Sequence, residues 1–159
     1  MVTKRRLLIL GPSFRRERSS ELLPAIERYD GLFYRVARRY LDEAKDVDVV
    51  VMTDDLILVD GKTPLPYRKA EGNQWGMQEF PEKTLEGALE ENTSFLQHKL
   101  KNKRFSEVFI SMGKKYAQAL PTMSQYGAEV VFPRSRGIGP KAQALKKWIS
   151  ARATTECEV

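Results

Sequence analysis

Arg5-Arg6-Leu7-Leu8-Ile9-Leu10-Gly11-Pro12-Ser13 runs from a continuous apolar segment into a glycine–proline break. A short unbroken apolar run bounded by turn residues predicts a buried strand. Val47–Met52, Glu107–Met112 and Glu129–Phe132 read as three more strands. Helical patterns lie between and after them: Leu32–Ala44, Pro81–Leu100, Lys114–Leu120, and a terminal helix opened by Arg134–Lys141 and running to about Arg152. Strands alternating with helices predict an α/β fold, a three-layer α/β/α arrangement with a mostly parallel central sheet. Leu56–Val59 reads as a short strand or a packed turn, and Thr63–Tyr67 as an extended loop because two prolines restrict it.

At 159 residues the chain is expected to form a single domain over 1–152, with 153–159 a frayed tail. Hydrophobic residues at 42% and charged ones at 30% describe a soluble globular protein with its expected address in the cytoplasm. No apolar run approaches the ~20 residues of a membrane span, and Arg6–Leu10 is too short for a signal peptide. The only cysteine, Cys157, rules out an internal disulfide and a cysteine-built metal site. The only histidine, His98, argues against histidine triads and histidine-rich metal sites. No metal and no cofactor are expected.

Net charge is +6, unevenly spread. Residues 1–45 carry 11 Lys and Arg against 6 Asp and Glu; residues 46–97 carry 4 against 11; residues 98–159 carry 12 against 4. Basic ends around an acidic middle suit a polyanionic partner if the fold brings the ends together, and solubility alone is the plain alternative.

Candidate site residues fall where the strands end, since ligands of open α/β sheets bind past the carboxyl ends. Ser13 follows the first strand and precedes Arg15, Arg16 and Arg18, a cluster read either as a phosphate grip or as a mobile charged loop. Leu23–Gly31 leads into the helix at Leu32, with Asp30 as its N-cap and Gly31 a flexible entry. That helix is expected to bury Phe33, Val36, Ala37, Tyr40, Leu41 and Ala44, leaving Arg28, Arg35, Arg38 and Arg39 on the solvent side or its flank. Thr53-Asp54-Asp55 ends the second strand, and Tyr67 is presented from the proline loop. Trp75 reads as a loop anchor. Leu85, Ala88, Leu89, Phe95 and Leu96 form the expected buried stripe of the long helix, where His98 reads as structural. Gly113-Lys114-Lys115 places backbone N–H groups and ammonium groups at a helix start, an arrangement that favours an anion. Arg134-Ser135-Arg136-Gly137-Ile138-Gly139-Pro140-Lys141 invites comparison with a helix-hairpin-helix turn, although a strand precedes it and Gln143 stands where a small residue is usual. It reads as a phosphate-friendly nest, or as a tight turn that lets Ile138, Leu145 and Ile149 pack inward.

The order of these motifs resembles the YaaA-like superfamily, which includes peroxide-stress proteins and a domain of archaeosine synthases, and most closely a small uncharacterised family within it. The shared residues are Pro24, Ala25, Tyr29, Asp30 and Gly31; Pro64, Pro66 and Tyr67; Gly113, Lys114 and Tyr116; and the Gly137–Gly139 turn. They span nearly the whole chain. Two motifs depart from the pattern. Pro12, Ser13 and Arg16 stand where the family has Cys, Ser and Lys, and Thr53–Leu58 replaces a Ser-Ala-x-aromatic-Gly-Leu strand end. The resemblance implies association with nucleic acid.

Three functions follow as expectations. The first is a nucleic-acid-binding domain, for DNA or RNA, using Arg28, Arg35, Arg38, Arg39, Arg134, Arg136, Gly137, Gly139 and Lys141. The second is an enzyme acting on a nucleobase or nucleotide. Its pocket would use Ser13, Arg16, Tyr29, Asp30, Gly31, Thr53, Tyr67, Gly113, Lys114 and Tyr116, with Asp30, Asp54, Asp55 or Lys114 as the catalytic candidates. The third is an interaction module without catalysis.

Overall fold

The computed structural model describes residues 5–70, 80–102, 105–133 and 137–151. In chain order the elements are β1 (Arg5–Leu10), β2 (Leu23–Pro24), α1 (Ala25–Arg28), α2 (Leu32–Leu41), β3 (Val47–Met52), β4 (Leu58–Asp60) and β5 (Pro64–Leu65). There follow α3 (Glu82–Asn102), β6 (Phe105–Ser111), α4 (Lys114–Ala117), a 3-10 turn at Ser124–Tyr126, β7 (Glu129–Val131) and α5 (Ile138–Ser150). The tail at 153–159, Trp75, Arg134 and Arg136 lie outside the described residues.

Five strands form one sheet in the order β4-β3-β1-β6-β7. β1 pairs in parallel with β3 and β6, β6 pairs in parallel with β7, and β4 returns antiparallel along β3. The fold is therefore α/β with a mostly parallel sheet, as the apolar runs predict. β1 sits in the interior of the sheet, where Leu7, Leu8, Ile9 and Leu10 are all fully buried because both faces are covered. Alternate residues then separate. Leu7 and Ile9 join Val50, Met52, Val108 and Ile110 with Ala88, Leu96 and Leu100 of α3. Leu8 and Leu10 join Val51 and Phe109 with Tyr34 and Ala37 of α2 and Leu145, Trp148 and Ile149 of α5. This is the two-residue period of a strand read out as packing.

Several local expectations are corrected. α2 ends at Leu41 rather than Ala44, because its last turn tightens: the Glu43 N–H donates to the Tyr40 carbonyl and the Ala44 N–H to that of Leu41. Its most buried side chains are Tyr34 and Ala37, with Phe33 and Val36 only half-buried. Tyr34 enters the core because its hydroxyl donates to the Gly11 carbonyl at 2.6 Å. Asp30 is not the N-cap. Gly31 holds that position without a side-chain bond, and the Asp30 carboxylate faces arginines instead. α4 is a single turn, Lys114–Ala117, short of the expected Leu120, because the chain beyond it tightens: the Ala119 and Leu120 N–H groups donate three residues back, to the Tyr116 and Ala117 carbonyls. Ile138 is 61% exposed rather than packed inward, since α5 begins beyond the strand ends and its first residue lines a surface cleft.

Two polar contacts secure this frame. Arg6, 4% exposed, binds Asp46 at 2.7 Å, donates to the carbonyls of Trp148 and Ile149 at the end of α5, and stacks 4.8 Å from the Trp148 ring. A cation suits a helix C-terminus. On the other face, fully buried Asn92 of α3 donates from Nδ2 to the Leu56 and Ala119 carbonyls and accepts from the Leu58 N–H through Oδ1. Leu56, with φ +67°, is the one non-glycine residue of positive φ among those described, and the amide clamps it. No helix among the described residues is long and apolar enough to cross a membrane.

Candidate functional site

Because β1, β3 and β6 are parallel and in register, with Leu10 opposite both Val51 and Ser111, the segments after them leave the sheet at one edge. Gly11, Thr53 and Gly113 stand there. Gly11 crosses against the neighbouring chain so tightly that a Cβ on it would lie 2.5 Å from that of Met112.

The segment after β1 is strapped down rather than loose. Arg16 and Tyr29 pair as an antiparallel bridge; the Glu17 N–H donates to the Arg28 carbonyl at 2.7 Å and the Asp30 N–H to that of Arg15 at 2.9 Å. A side chain on Gly31 would collide with Ser13 Oγ, which instead donates to the Arg15 carbonyl at 2.8 Å. Of the two readings of the arginine cluster, the mobile loop does not hold for Arg16. Its side chain is 6% exposed and meets Asp54 through two bonds, Nη1 to Oδ2 at 2.7 Å and Nη2 to Oδ1 at 2.9 Å. The same nitrogens donate to the Arg68 and Ser13 carbonyls, while Nε is buried with no partner among the described residues. Burial works against the Arg16 charge, but the Asp54 bonds outweigh it and hold the guanidinium above its ordinary value. Tyr29 stacks 5.0 Å beneath that guanidinium and donates to Asp54 Oδ2 at 3.2 Å. Burial first, and the Asp54 charge second, push the Tyr29 hydroxyl well above the usual tyrosine range, and they raise Tyr116 in the same way. Tyr116 packs against Phe80 at 5.7 Å between ring centres.

The expected row of solvent-facing arginines divides. Arg28, 2% exposed, is not a phosphate contact: it donates to the carbonyls of Leu65, Glu17, Ser19 and Glu21 and lies under the Tyr67 ring at 5.9 Å. Five N–H donors in a planar fork explain why arginine serves as this internal staple. Arg35 and Arg38 bind Asp30 at 3.0 and 2.5 Å, and Arg38 also donates to the Ile26 and Tyr29 carbonyls. Hydrogen bonds from Arg35, opposed by partial burial and reinforced by Arg38, keep the Asp30 carboxyl below its ordinary value. Arg39 is exposed beside Tyr40.

These pairings bear on the catalytic candidates. Asp54 is committed to Arg16 and Tyr29, and Asp30 to its arginines. Asp55, 69% exposed, pairs with Arg68 at 2.9 Å, and Lys114 is exposed on α4. Among the described residues no group of three His, Cys, Asp or Glu side chains is placed to hold a metal ion.

Four of the ten expected pocket residues line two clefts, while Ser13, Tyr29, Gly31, Thr53, Lys114 and Tyr116 line neither. The larger, about 940 Å³, is walled by Arg16, Asp30 and Tyr67 from the expected set, together with Phe14, Arg15, Arg18 and Lys69. Phe14 and Tyr67 are 49% and 38% exposed. Four cationic linings (Arg15, Arg16, Arg18, Lys69) stand against two acidic ones (Glu17, Asp30). Arg15 passes 3.5 Å from Asp30 yet keeps 69% of its side chain in solvent. Ser13, Tyr29, Gly31 and Asp54 act behind this wall, fixing its shape. The smaller cleft, about 240 Å³, gathers Gly113, Gly137, Ile138 and Lys141 beside Phe33. Gly139 is exposed at the start of α5. Phe14 and Lys69 were missed by sequence reasoning; an aromatic residue set among arginines, Phe14-Arg15-Arg16, was the available signal. Compared with known protein families, curated proteins and solved structures, the chain matches none.

Proposed function

We propose that the chain is a nucleic-acid-associated binding domain that holds phosphates along the carboxyl edge of its sheet. The observation that carries this reading is the larger cleft, which solvent-exposed Arg15, Arg18 and Lys69 line together with two exposed aromatic rings. Solvent-facing cations supply the electrostatic, sequence-independent share of nucleic-acid affinity. The carboxylates that an enzyme would need as proton carriers are held in ion pairs, and those pairs brace the cleft wall. The smaller cleft, with Lys141 at the start of a 13-residue helix, is a secondary phosphate contact in this scheme.

Membership of the YaaA-like superfamily is part of the same proposal. It is supported by Tyr29, Asp30, Gly31 and Tyr67 converging around the first loop, as their shared motif positions imply. The three-layer arrangement is likewise proposed, from the two clusters of buried side chains that share alternate strand residues, and so is a cytoplasmic address.

The test is a fluorescence-anisotropy titration of labelled oligonucleotides at several salt concentrations. Roughly 3–5 phosphate contacts give a slope of about −2.7 to −4.5 in log K against log salt on duplex DNA. Absence of binding at low salt, where charge attraction is strongest, would reject the proposal.

A further inference from the structure

We infer that the larger cleft selects single-stranded over duplex nucleic acid, stacking unpaired bases on Phe14 and Tyr67 while Arg15, Arg18 and Lys69 hold the backbone. The inference rests on the nucleic-acid reading and deepens it. A purely electrostatic surface gains nothing from exposed aromatic rings, whose burial elsewhere would be favourable. Here two of them stand open in a cleft whose lining carries four cations against two acids. Alternating basic and aromatic groups are what a single strand engages, because unpaired bases expose their faces for stacking and a duplex hides them.

The segments that carry the rings are also held in place. Tyr67 lies over Arg28, a guanidinium fixed by carbonyls on both flanking segments. Phe14 sits between Ser13, which abuts Gly31, and the bridge formed by Arg16 and Tyr29. Arg16 in turn is locked to Asp54. A cleft so ordered before binding spends less ordering entropy on the ligand. The volume of about 940 Å³ and its open form leave room for a strand to pass through.

The experiment compares three labelled ligands at one salt concentration: an oligothymidine strand, a duplex of equal length, and an abasic strand carrying the same phosphates. The single strand is expected to bind at least tenfold more tightly than the other two. Phe14→Leu and Tyr67→Leu are each expected to weaken single-strand binding by about 5- to 150-fold. The abasic arm needs no variant, so the result stands even where a substitution disturbs folding. Equal affinity for the three ligands overturns the inference and leaves phosphate binding intact. Absence of binding to all three at low salt overturns both.

Discussion

The Arg16 guanidinium and the Asp54 carboxylate meet fork to fork, at 2.7 and 2.9 Å, across 38 residues of sequence. The pair joins the loop after β1 to the turn after β3, so one contact sets the spacing of two segments at the sheet edge. Arg16 is nearly covered while Asp54 keeps 23% of its side chain exposed. Removing the carboxylate strands a covered cation. Asp54→Asn should therefore cost about 2–3 kcal/mol, below the ~3–5 of a fully buried pair because water still reaches Asp54. The double variant Arg16→Met, Asp54→Leu should recover part of that loss. Denaturant unfolding of Arg16→Met, Asp54→Leu and their double variant gives the coupling; additive losses would show that the pair contributes nothing as a pair.

Asn92 makes a second prediction, on the opposite face. Its amide satisfies two carbonyls and one N–H from inside the core. Asn92→Ala leaves these groups buried and unpaired beside the positive-φ Leu56, and about 2–4 kcal/mol of stability should be lost. Thermal unfolding measures it. A loss under ~1 kcal/mol would mean that water or a shifted turn replaces the amide.

Asp30 gives the pH dependence its sign. Its folded carboxyl lies below its ordinary value, held there first by the Arg35 hydrogen bonds and then by Arg38. A depressed carboxyl contributes stability above its unfolded value of about 3.9, and loses it as pH falls through the lower folded value. Acid should therefore loosen the α2 start and the cleft wall below about pH 4. In Asp30→Asn that contribution is absent at every pH, so the gap in stability between wild type and variant should narrow as pH drops. A gap that stays constant from pH 6 to pH 3 would remove Asp30 from the acid transition.

How much of this was legible differs between strand and site. The run Leu7–Leu10 names a central strand because four consecutive apolar residues stopped by Gly11-Pro12 are too short for a buried helix, and the sheet follows from it. Asp30 and Arg28 were misread because their roles depend on partners distant in the fold. A carboxylate before a helix usually caps it, but here Arg35 and Arg38 reach back to it from the next turns of α2. An arginine on a helical flank usually meets water; Arg28 instead meets carbonyls of a loop that folds over it. Neither loop carries a periodicity from which that closure could be read. Tyr34 and Asn92 were missed for a related reason, since both are polar groups buried only because tertiary structure supplies their hydrogen-bond partners.

Counterion release allows the basic residues to be sorted by what they do. Arg15, Arg18 and Lys69 line the larger cleft with solvent access, whereas Arg28 is enclosed. Replacing the first three with Gln should reduce the magnitude of the salt slope by about two to three units, nearly one for each phosphate that is no longer neutralised. Arg28→Met should leave the slope as it is and instead lower stability, because four carbonyls lose their donor. Arg134→Gln with Arg136→Gln tests the contribution of the segment before α5 and should remove about two units if both meet phosphate. Glu90→Gln, on the exposed side of α3, is the neutral control. Anisotropy titrations across a salt series read all four. Should Arg28→Met flatten the slope as much as the cleft variants do, phosphate contact would lie on a surface that the buried guanidinium organises, and the assignment of contacts to Arg15, Arg18 and Lys69 would fall.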